Sequence, residues 1–152
     1  ISRRCDIVYE RIDGRADYDD IEDPLPFDIN APVIEIADRD YAFFYRDLTE
    51  NLEAYIGKTV KFKGIVARDE RLAPTDVVVG RHIMTCCVDD IAYRALALHT
   101  SEAARYQMRD WVTVTARISM AYSKLYQTKG PVLKPISIER STPADPEVAT
   151  FY

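Results

Sequence analysis

Apolar and polar residues alternate along the middle of the chain from Lys58 onward. One face of this alternation carries Val60, Phe62, Gly64 and Val66. A period of two residues is typical of a β-strand with one buried face. The glycine in mid-strand predicts a bulge or sharp bend, which is how a strand turns the corner of a small barrel.

The period is helical just before this strand. Apolar side chains recur at spacings of four, four and three residues, at Phe44, Leu48, Leu52 and Tyr55. This stripe predicts a helix over residues 41–55 that docks on a core. We expect Asp38 or Asp40 to cap its start and Gly57 to end it. A short strand is predicted ahead of it, over residues 33–36.

A β-hairpin is predicted in the middle of the chain. Two apolar stretches, residues 81–88 and 91–98, are separated only by Asp89 and Asp90. Two residues are the commonest length of a hairpin turn, although Asp-Asp is a poorer turn than Asp-Gly.

The last third of the chain predicts a short helix and two strands. Ser101 is expected to cap the helix, over residues 102–109, with Ala103, Ala104 and Met108 available for burial. The segments after it are an alternating strand over 111–118, a loop around 128–131 and a last strand over 132–139.

Three strands, a short helix and two strands follow one another in the order of the OB-fold, a five-stranded Greek-key barrel. The sequence thus predicts a mainly β protein with short helices, of the α+β class: an OB-like barrel with an N-terminal extension and a helix before its first strand. An incomplete sandwich is the rival fold. We expect one domain, made of an extension with a strand at 5–9 and an acidic loop (1–40), the helix and barrel (41–141), and a surface tail (142–152).

Composition and charge narrow the classes of function. With 152 residues, 47% hydrophobic and 30% charged, the chain is typical of one globular domain. Its net charge of -5 and pI near 5.1 oppose attraction to phosphate backbones, so nucleic acid is not the expected partner. No apolar run approaches the roughly 20 residues that span a bilayer. The chain begins at Ile1 rather than methionine, as a processed protein or an excised domain would.

Most of the candidate chemistry lies where Cys86 and Cys87 end an apolar run. Neighbouring side chains of a regular strand point to opposite faces, which predicts one core cysteine and one half-buried thiol. A bulge would instead let both thiolates hold zinc or another thiophilic ion, with His82 or Asp90 as a further ligand. The chain has three cysteines, and the two neighbours are not expected to bond to each other, so no disulfide framework is implied.

Two other kinds of site are compatible with the sequence. OB barrels commonly bind oligonucleotides or small ligands on one face, and Arg81, Tyr122 and Tyr126 are our candidate ligand-binding residues. A thiol-dependent enzyme would need His82 or His99 within hydrogen-bond reach of a thiolate. The acidic residues beside the thiols would raise their pKa and oppose that chemistry, so we expect no catalytic residue.

Four segments carry a family resemblance: Asn-Leu-Glu-Ala-Tyr-Ile-Gly-Lys at 51–58, Lys-Gly-Ile-Val at 63–66, Gly-Arg-His-Ile-Met-Thr-Cys-Cys-Val-Asp-Asp at 80–90 and Asp-Trp-Val at 110–112. Together they resemble the soluble C-terminal domain of the YcgQ-like family, uncharacterised bacterial membrane proteins encoded beside a predicted permease. The most specific part is Arg-x-x-Met-Thr-Cys-Cys. Arg81, Cys86, Cys87 and Asp90 match the family segment by position, whereas His82 departs from it.

The resemblance implies a membrane-embedded N-terminal part and a soluble domain that accompanies the permease. We therefore expect a non-enzymatic accessory domain, anchored to the membrane in the full-length protein and extracytoplasmic, that binds a thiophilic ion through Cys86 and Cys87. The alternatives are an OB module for a nucleic acid or small ligand and, second, a thiol-dependent enzyme.

Overall fold

The computed structural model describes residues 25–68, 72, 75–100, 102–123 and 126–151. The predicted strand at 5–9, the acidic loop before residue 25 and the predicted cap Ser101 lie outside the described residues.

A closed ring of five strands forms the body of the fold. A short first strand, β1, covers Ile34–Glu35, and five longer strands follow: β2 Thr59–Ala67, β3 Asp76–Met84, β4 Ala92–His99, β5 Trp111–Ser123 and β6 Thr128–Arg140. β2 pairs antiparallel with both β3 and β5. β4 pairs antiparallel with β3 and parallel with β6. β5 and β6 pair antiparallel and close the ring. The pairing confirms the predicted OB-like barrel and the mainly β class.

The corner of β2 lies at its glycine, as predicted. The strand pairs with β5 as far as Ile65 and with β3 from Ile65 to Ala67. A Cβ placed on Gly64 would lie 2.7 Å from Cγ1 of Val79. Glycine therefore allows the close approach of the two strands, and the apolar face of β2 is buried as its alternation predicted.

The helix before the barrel is present but broken. Helix α1 covers Tyr41–Glu50 and helix α2 covers Leu52–Tyr55. The break is at Asn51, whose backbone N–H donates to the Asp47 carbonyl and whose Nδ2 donates to Asp47 Oδ1, both at 2.8 Å. Asn51 itself has left the helical conformation, with φ -130° and ψ 48°. The predicted stripe still packs on the barrel, with these of its members buried: Phe44, Leu48 and Tyr55.

The start of the helical segment differs from the prediction, whereas its end agrees with it. Asp40 is the N-cap residue of α1, but its side chain makes no capping hydrogen bond. Instead, Asp38–Asp40 forms a short 3₁₀ helix that leads into α1. Gly57 ends the segment as predicted, with a φ of 84° in the left-handed region.

The helix predicted between β4 and β5 is wrong in length. Only a 3₁₀ helix, Ala103–Arg105, forms there. Asp110 Oδ2 accepts a hydrogen bond from the Gln107 amide at 2.8 Å, which offers this backbone an alternative to helical bonds. Ala103 is buried as predicted, but Met108 is 57% exposed, so its expected burial is wrong.

The C-terminal tail joins the sheet instead of lying along the surface. Strand β7, Val148–Thr150, runs parallel to β3, and Ala149 is buried. Phe151 then packs edge-on against Phe43 of α1, with ring centroids 5.3 Å apart. The tail consequently binds β3 and α1 together, close to the loop that carries the two cysteines.

Candidate metal centre

The two cysteines lie in the connection between β3 and β4. The register pairs Ile83 with Ala92, so the predicted two-residue turn at Asp89 and Asp90 is wrong. The connection is wider and contains a 3₁₀ helix, Val88–Asp90. Two-residue hairpin turns require positive φ angles, which a pair of aspartates adopts less readily than a pair containing glycine.

The wider loop brings three ligand atoms together. Cys86 Sγ lies 3.9 Å from Cys87 Sγ and 3.2 Å from Asp90 Oδ2, and Cys87 Sγ lies 3.9 Å from the same oxygen. All three side chains are partly buried. The prediction of one core cysteine and one half-buried thiol is wrong: both are partly buried, because neither lies in a regular strand.

The Asp90 carboxylate organises the loop. Its Oδ1 accepts a hydrogen bond from the Thr85 amide at 2.8 Å, and its Oδ2 accepts the amides of Cys86 at 3.0 Å and Cys87 at 3.4 Å. Burial raises the pKa of this carboxyl, but the three amides and the Cys87 thiol together hold the pKa below its usual range. The group is therefore an anion at neutral pH, and it fixes the backbone beside both thiols.

The distances among these atoms match the edges of a tetrahedral zinc site. With Zn–S near 2.3 Å and Zn–O near 2.1 Å, two sulfurs should lie about 3.8 Å apart and a sulfur and an oxygen about 3.6 Å apart. The observed S–S distance is 3.9 Å and the S–O distances are 3.2 and 3.9 Å. With both sulfurs present as thiolates, the group would supply three ligands and leave one position open.

The redox state of the two sulfurs differs. Cys86 is disulfide-bonded, whereas Cys87 is a free thiol. Their Sγ atoms, 3.9 Å apart, are not bonded to each other, since a disulfide measures about 2.05 Å. The third cysteine of the sequence, Cys5, lies outside the described residues. Because a metal binds the thiolate, Cys86 is a ligand only in its reduced state.

Neither histidine belongs to this group in the described part of the chain. His82 points its ring at Tyr93 on the neighbouring strand, with centroids 5.5 Å apart. His99 Nδ1 lies 2.6 Å from Asp76 Oδ1, at the opposite end of the β3–β4 hairpin. The structure thus brings Asp90, and not His82, to the two cysteines.

Arg81 lies inside the molecule, 1% exposed. Its Nη1 donates to the Asp38 carbonyl at 2.9 Å, its Nε donates to the Glu147 carbonyl at 3.3 Å, and its Nη2 donates to the Pro146 carbonyl. Burial lowers the pKa of the guanidinium, and Asp38 and Tyr41 partly oppose that shift. In this position Arg81 ties β3 to the segments that precede α1 and β7.

The two candidate tyrosines lie at the β5–β6 turn but have different environments. β6 begins at Thr128, so the loop predicted around 128–131 is strand. Tyr126 is half-buried: its hydroxyl donates to the Pro131 carbonyl at 2.8 Å and accepts the Ala97 amide at 3.0 Å. Burial raises its pKa to about 12. Tyr122 is 63% exposed.

Tyr122 lines a cleft of about 350 Å³ between this turn and the β3–β4 hairpin. Its other polar members are Asp76, His99, Ser123 and Lys134; the sequence pointed only to His99 among them, and as a partner for a thiolate rather than for Tyr122. Asp76 and His99 are register partners on β3 and β4. The sequence analysis began this strand at residue 81, whereas β3 begins at Asp76, and so the pair was not predicted.

Fold and site together define an OB-like barrel domain that carries a two-cysteine, one-aspartate loop. The chain belongs to the DUF1980 C-terminal domain family, whose model matches residues 15–148. This confirms the expectation of a domain family of unknown function, while the membrane context of the YcgQ-like proteins stays a prediction. No curated protein matches the chain.

Two solved structures show a weak likeness to the chain. Replication protein A of U. maydis bound to ssDNA is 18% identical, with a TM-score of 0.38 over 62% of this chain and 68% of that one. A protein assigned as an aspartyl-tRNA synthetase from Leishmania major Friedlin is 10% identical, also with a TM-score of 0.38, over 93% of this chain and 27% of that one. This chain thus spans about a quarter of the second protein. Such scores carry no argument about function.

In the part of the chain that the structure describes, no helix combines the length and the apolar character that a bilayer span requires.

Proposed function

We propose that this domain is a non-enzymatic accessory domain of a membrane permease system that binds a thiophilic metal ion, with zinc as the test ion. Cys86, Cys87 and Asp90 supply the ligands. The observation that carries the proposal is the convergence of two sulfurs and one carboxylate oxygen at distances that match a tetrahedral site.

The ligand set suits an ion that is held and then passed on. Two thiolates favour zinc or a softer ion over magnesium or calcium, which prefer oxygen ligands. Structural zinc sites usually have four protein ligands, whereas this group offers three. The open position leaves room for a donor from solvent or from another protein, as ion transfer requires.

The permease association and the membrane anchor rest on the resemblance of the four segments to the YcgQ-like family. The proposed extracytoplasmic location has support from Cys86, because disulfides persist mainly in oxidising compartments. The corresponding test is co-purification of the permease with the full-length protein from membranes.

The metal site is tested by titrating reduced, metal-free protein with zinc in competition with a chromophoric chelator. We expect one zinc per chain. The double variant Cys86→Ser, Cys87→Ser should bind more than about 100-fold more weakly, because the loss of an outer-shell partner alone typically costs about 10- to 100-fold. His82→Ala is the matched control and should keep its affinity, since His82 contacts Tyr93 instead. Equal binding by the double variant would refute the assignment.

A second candidate function is the binding of a single-stranded oligonucleotide or a small ligand in the Tyr122 cleft. The observation that favours it is the exposed Tyr122 ring beside Lys134 and His99. The test is a short oligothymidylate at low ionic strength. Tyr122→Ala should weaken its binding about tenfold, as expected for one lost stacking contact. Met120→Ala on the same strand, whose side chain does not line the cleft, should not. The absence of salt-sensitive binding would remove the oligonucleotide as a ligand.

A further inference from the structure

We propose that a pocket on the outside of the barrel binds a free amino acid with an aromatic side chain. The pocket measures about 390 Å³ and lies where β2, β3 and β4 meet the segments before β5 and β7. Small-molecule sites have volumes of this order and combine apolar walls with a few polar groups. Its lining does not include Cys86, Cys87 or Asp90, so this inference goes beyond the proposed metal binding.

Three aromatic rings line this pocket. The Tyr93 ring on β4 lies beside the His82 ring on β3, with centroids 5.5 Å apart. The Tyr93 hydroxyl donates to the Ile65 carbonyl at 2.7 Å, and burial raises the pKa of this hydroxyl, so it stays protonated and keeps that bond. Half-buried Trp111 on β5 is the register partner of Ile65 and supplies the third ring. Rings held in this way favour a flat aromatic ligand group.

The pocket also has one charged group of each sign, from Glu147 and Arg109. Both side chains are exposed. Among the described residues, neither the Glu147 carboxylate nor the Arg109 guanidinium has a hydrogen-bond or ion-pair partner, and the two do not pair with each other. Separate, opposite charges beside aromatic walls are complementary to a zwitterion, with its ammonium toward Glu147 and its carboxylate toward Arg109. An amino acid with an aromatic side chain has all three groups.

The segment before β5 is held in place at the pocket wall. Arg109 has a φ of 73°, and its amide donates to the Val66 carbonyl at 2.7 Å, while the Val66 amide donates to the Asp110 carbonyl at 2.8 Å. A positive φ in a residue other than glycine costs energy, and such residues cluster at binding sites. Met108 Sδ accepts the Arg68 amide at 3.2 Å, which fixes an exposed thioether against the pocket. Sulfur packs favourably against aromatic rings.

The site is tested with L-phenylalanine and two analogues that each lack one charge: phenethylamine has only the ammonium, and hydrocinnamate has only the carboxylate. Binding is followed by calorimetry and by the fluorescence of Trp111, the one tryptophan of the sequence, which lines the pocket. We expect phenylalanine to bind about tenfold more tightly than either analogue, because each analogue loses one charge-assisted contact.

Two variants assign each charge of the ligand to its partner. Glu147→Gln should weaken the binding of phenylalanine and phenethylamine about tenfold and leave hydrocinnamate unchanged. Arg109→Gln should weaken phenylalanine and hydrocinnamate by a similar factor and leave phenethylamine unchanged. Glu139→Gln on β6, an exposed position outside the pocket, is the matched control and should change none of the three affinities.

The remaining outcomes separate this site from the metal site. His82→Ala should weaken phenylalanine about fivefold, the value of one aromatic contact, while it keeps its zinc affinity. The variant Cys86→Ser, Cys87→Ser should bind phenylalanine normally, and a loss there would contradict the separation of the two sites. If none of the three compounds binds at millimolar concentration, the pocket is not a ligand site. Equal affinities for all three would overturn the zwitterion as its ligand.

Discussion

Replacing Arg81 by methionine removes a buried charge that joins three parts of the chain. The guanidinium donates to the carbonyls of Asp38, Pro146 and Glu147 from a side chain that is 1% exposed. Methionine keeps an apolar stem of similar length but has no donor. The contacts between β3, the start of α1 and the segment before β7 would then lose their polar component.

The magnitude follows from the number and kind of bonds lost. A hydrogen bond that involves a charged group contributes about 1.5–3 kcal/mol. Two of the acceptors belong to exposed residues, Pro146 and Glu147, so water replaces part of what is lost. Removing the guanidinium also ends the cost of burying its charge. We therefore expect the free energy of unfolding to fall by about 3 kcal/mol, the value of one or two of the three bonds.

Urea unfolding measures this directly. Trp111, the one tryptophan of the sequence, lies near the site, with the Arg81 guanidinium carbon 6.0 Å from its ring centroid, and its fluorescence reports the transition. The matched control is Arg117→Met on β5, an exposed position, which should change stability by less than about 0.5 kcal/mol. If Arg81→Met lowers the free energy of unfolding by less than about 1 kcal/mol, the three hydrogen bonds of Arg81 do not hold these segments together. Normal stability with lost ligand binding would instead restore Arg81 as a ligand residue.

Three further results are expected. Gly80→Ala should cost about 3 kcal/mol in urea unfolding, because its Cβ would clash with the Arg94 carbonyl oxygen across the β3–β4 pair. A Cβ on Gly57 would meet open space, so Gly57→Ala should lower the free energy of unfolding by only about 1 kcal/mol, because of the positive φ. Equal losses in the two variants would contradict the clash at Gly80. Burial raises the pKa of Tyr126 to about 12 against about 10 when unfolded, so its stabilising contribution is complete below about pH 10 and is lost as pH rises toward 12. Tyr126→Phe should therefore be less stable at neutral pH and lose less stability over that alkaline range, and an unchanged pH dependence would contradict the assignment.

Strands β2 and β5 could be predicted because one face of each is more buried than the other, whereas β3 and β4 contain consecutive buried residues and were predicted as continuous apolar stretches. The two-residue period of β2 and β5 is visible in the sequence without knowing which strands they pair with. Gly64, in the middle of β2, indicated the corner of the barrel. Boundaries were less predictable. Asp110 offers the Gln107 amide an alternative to a helical bond, and the helix breaks where Asn51 leaves the helical conformation; periodicity gives no sign of either.

The site could be predicted in composition but not in geometry. The sequence pointed to Cys86, Cys87 and either His82 or Asp90, and the choice between the last two depends on the shape of the loop. That shape comes from three amides that converge on one carboxylate, an arrangement invisible to hydrophobic patterning. The burial of Arg81 depends on carbonyls more than forty residues away in the chain, on both sides of it.

The metal content of the protein itself shows whether Cys86, Cys87 and Asp90 hold an ion. Protein purified without chelator and kept reduced would be examined by native mass spectrometry together with elemental analysis. We expect one zinc or other thiophilic ion per chain, retained in His82→Ala and absent from the Cys86→Ser, Cys87→Ser variant. A folded, reduced protein that carries no metal and takes up none from added zinc would contradict it.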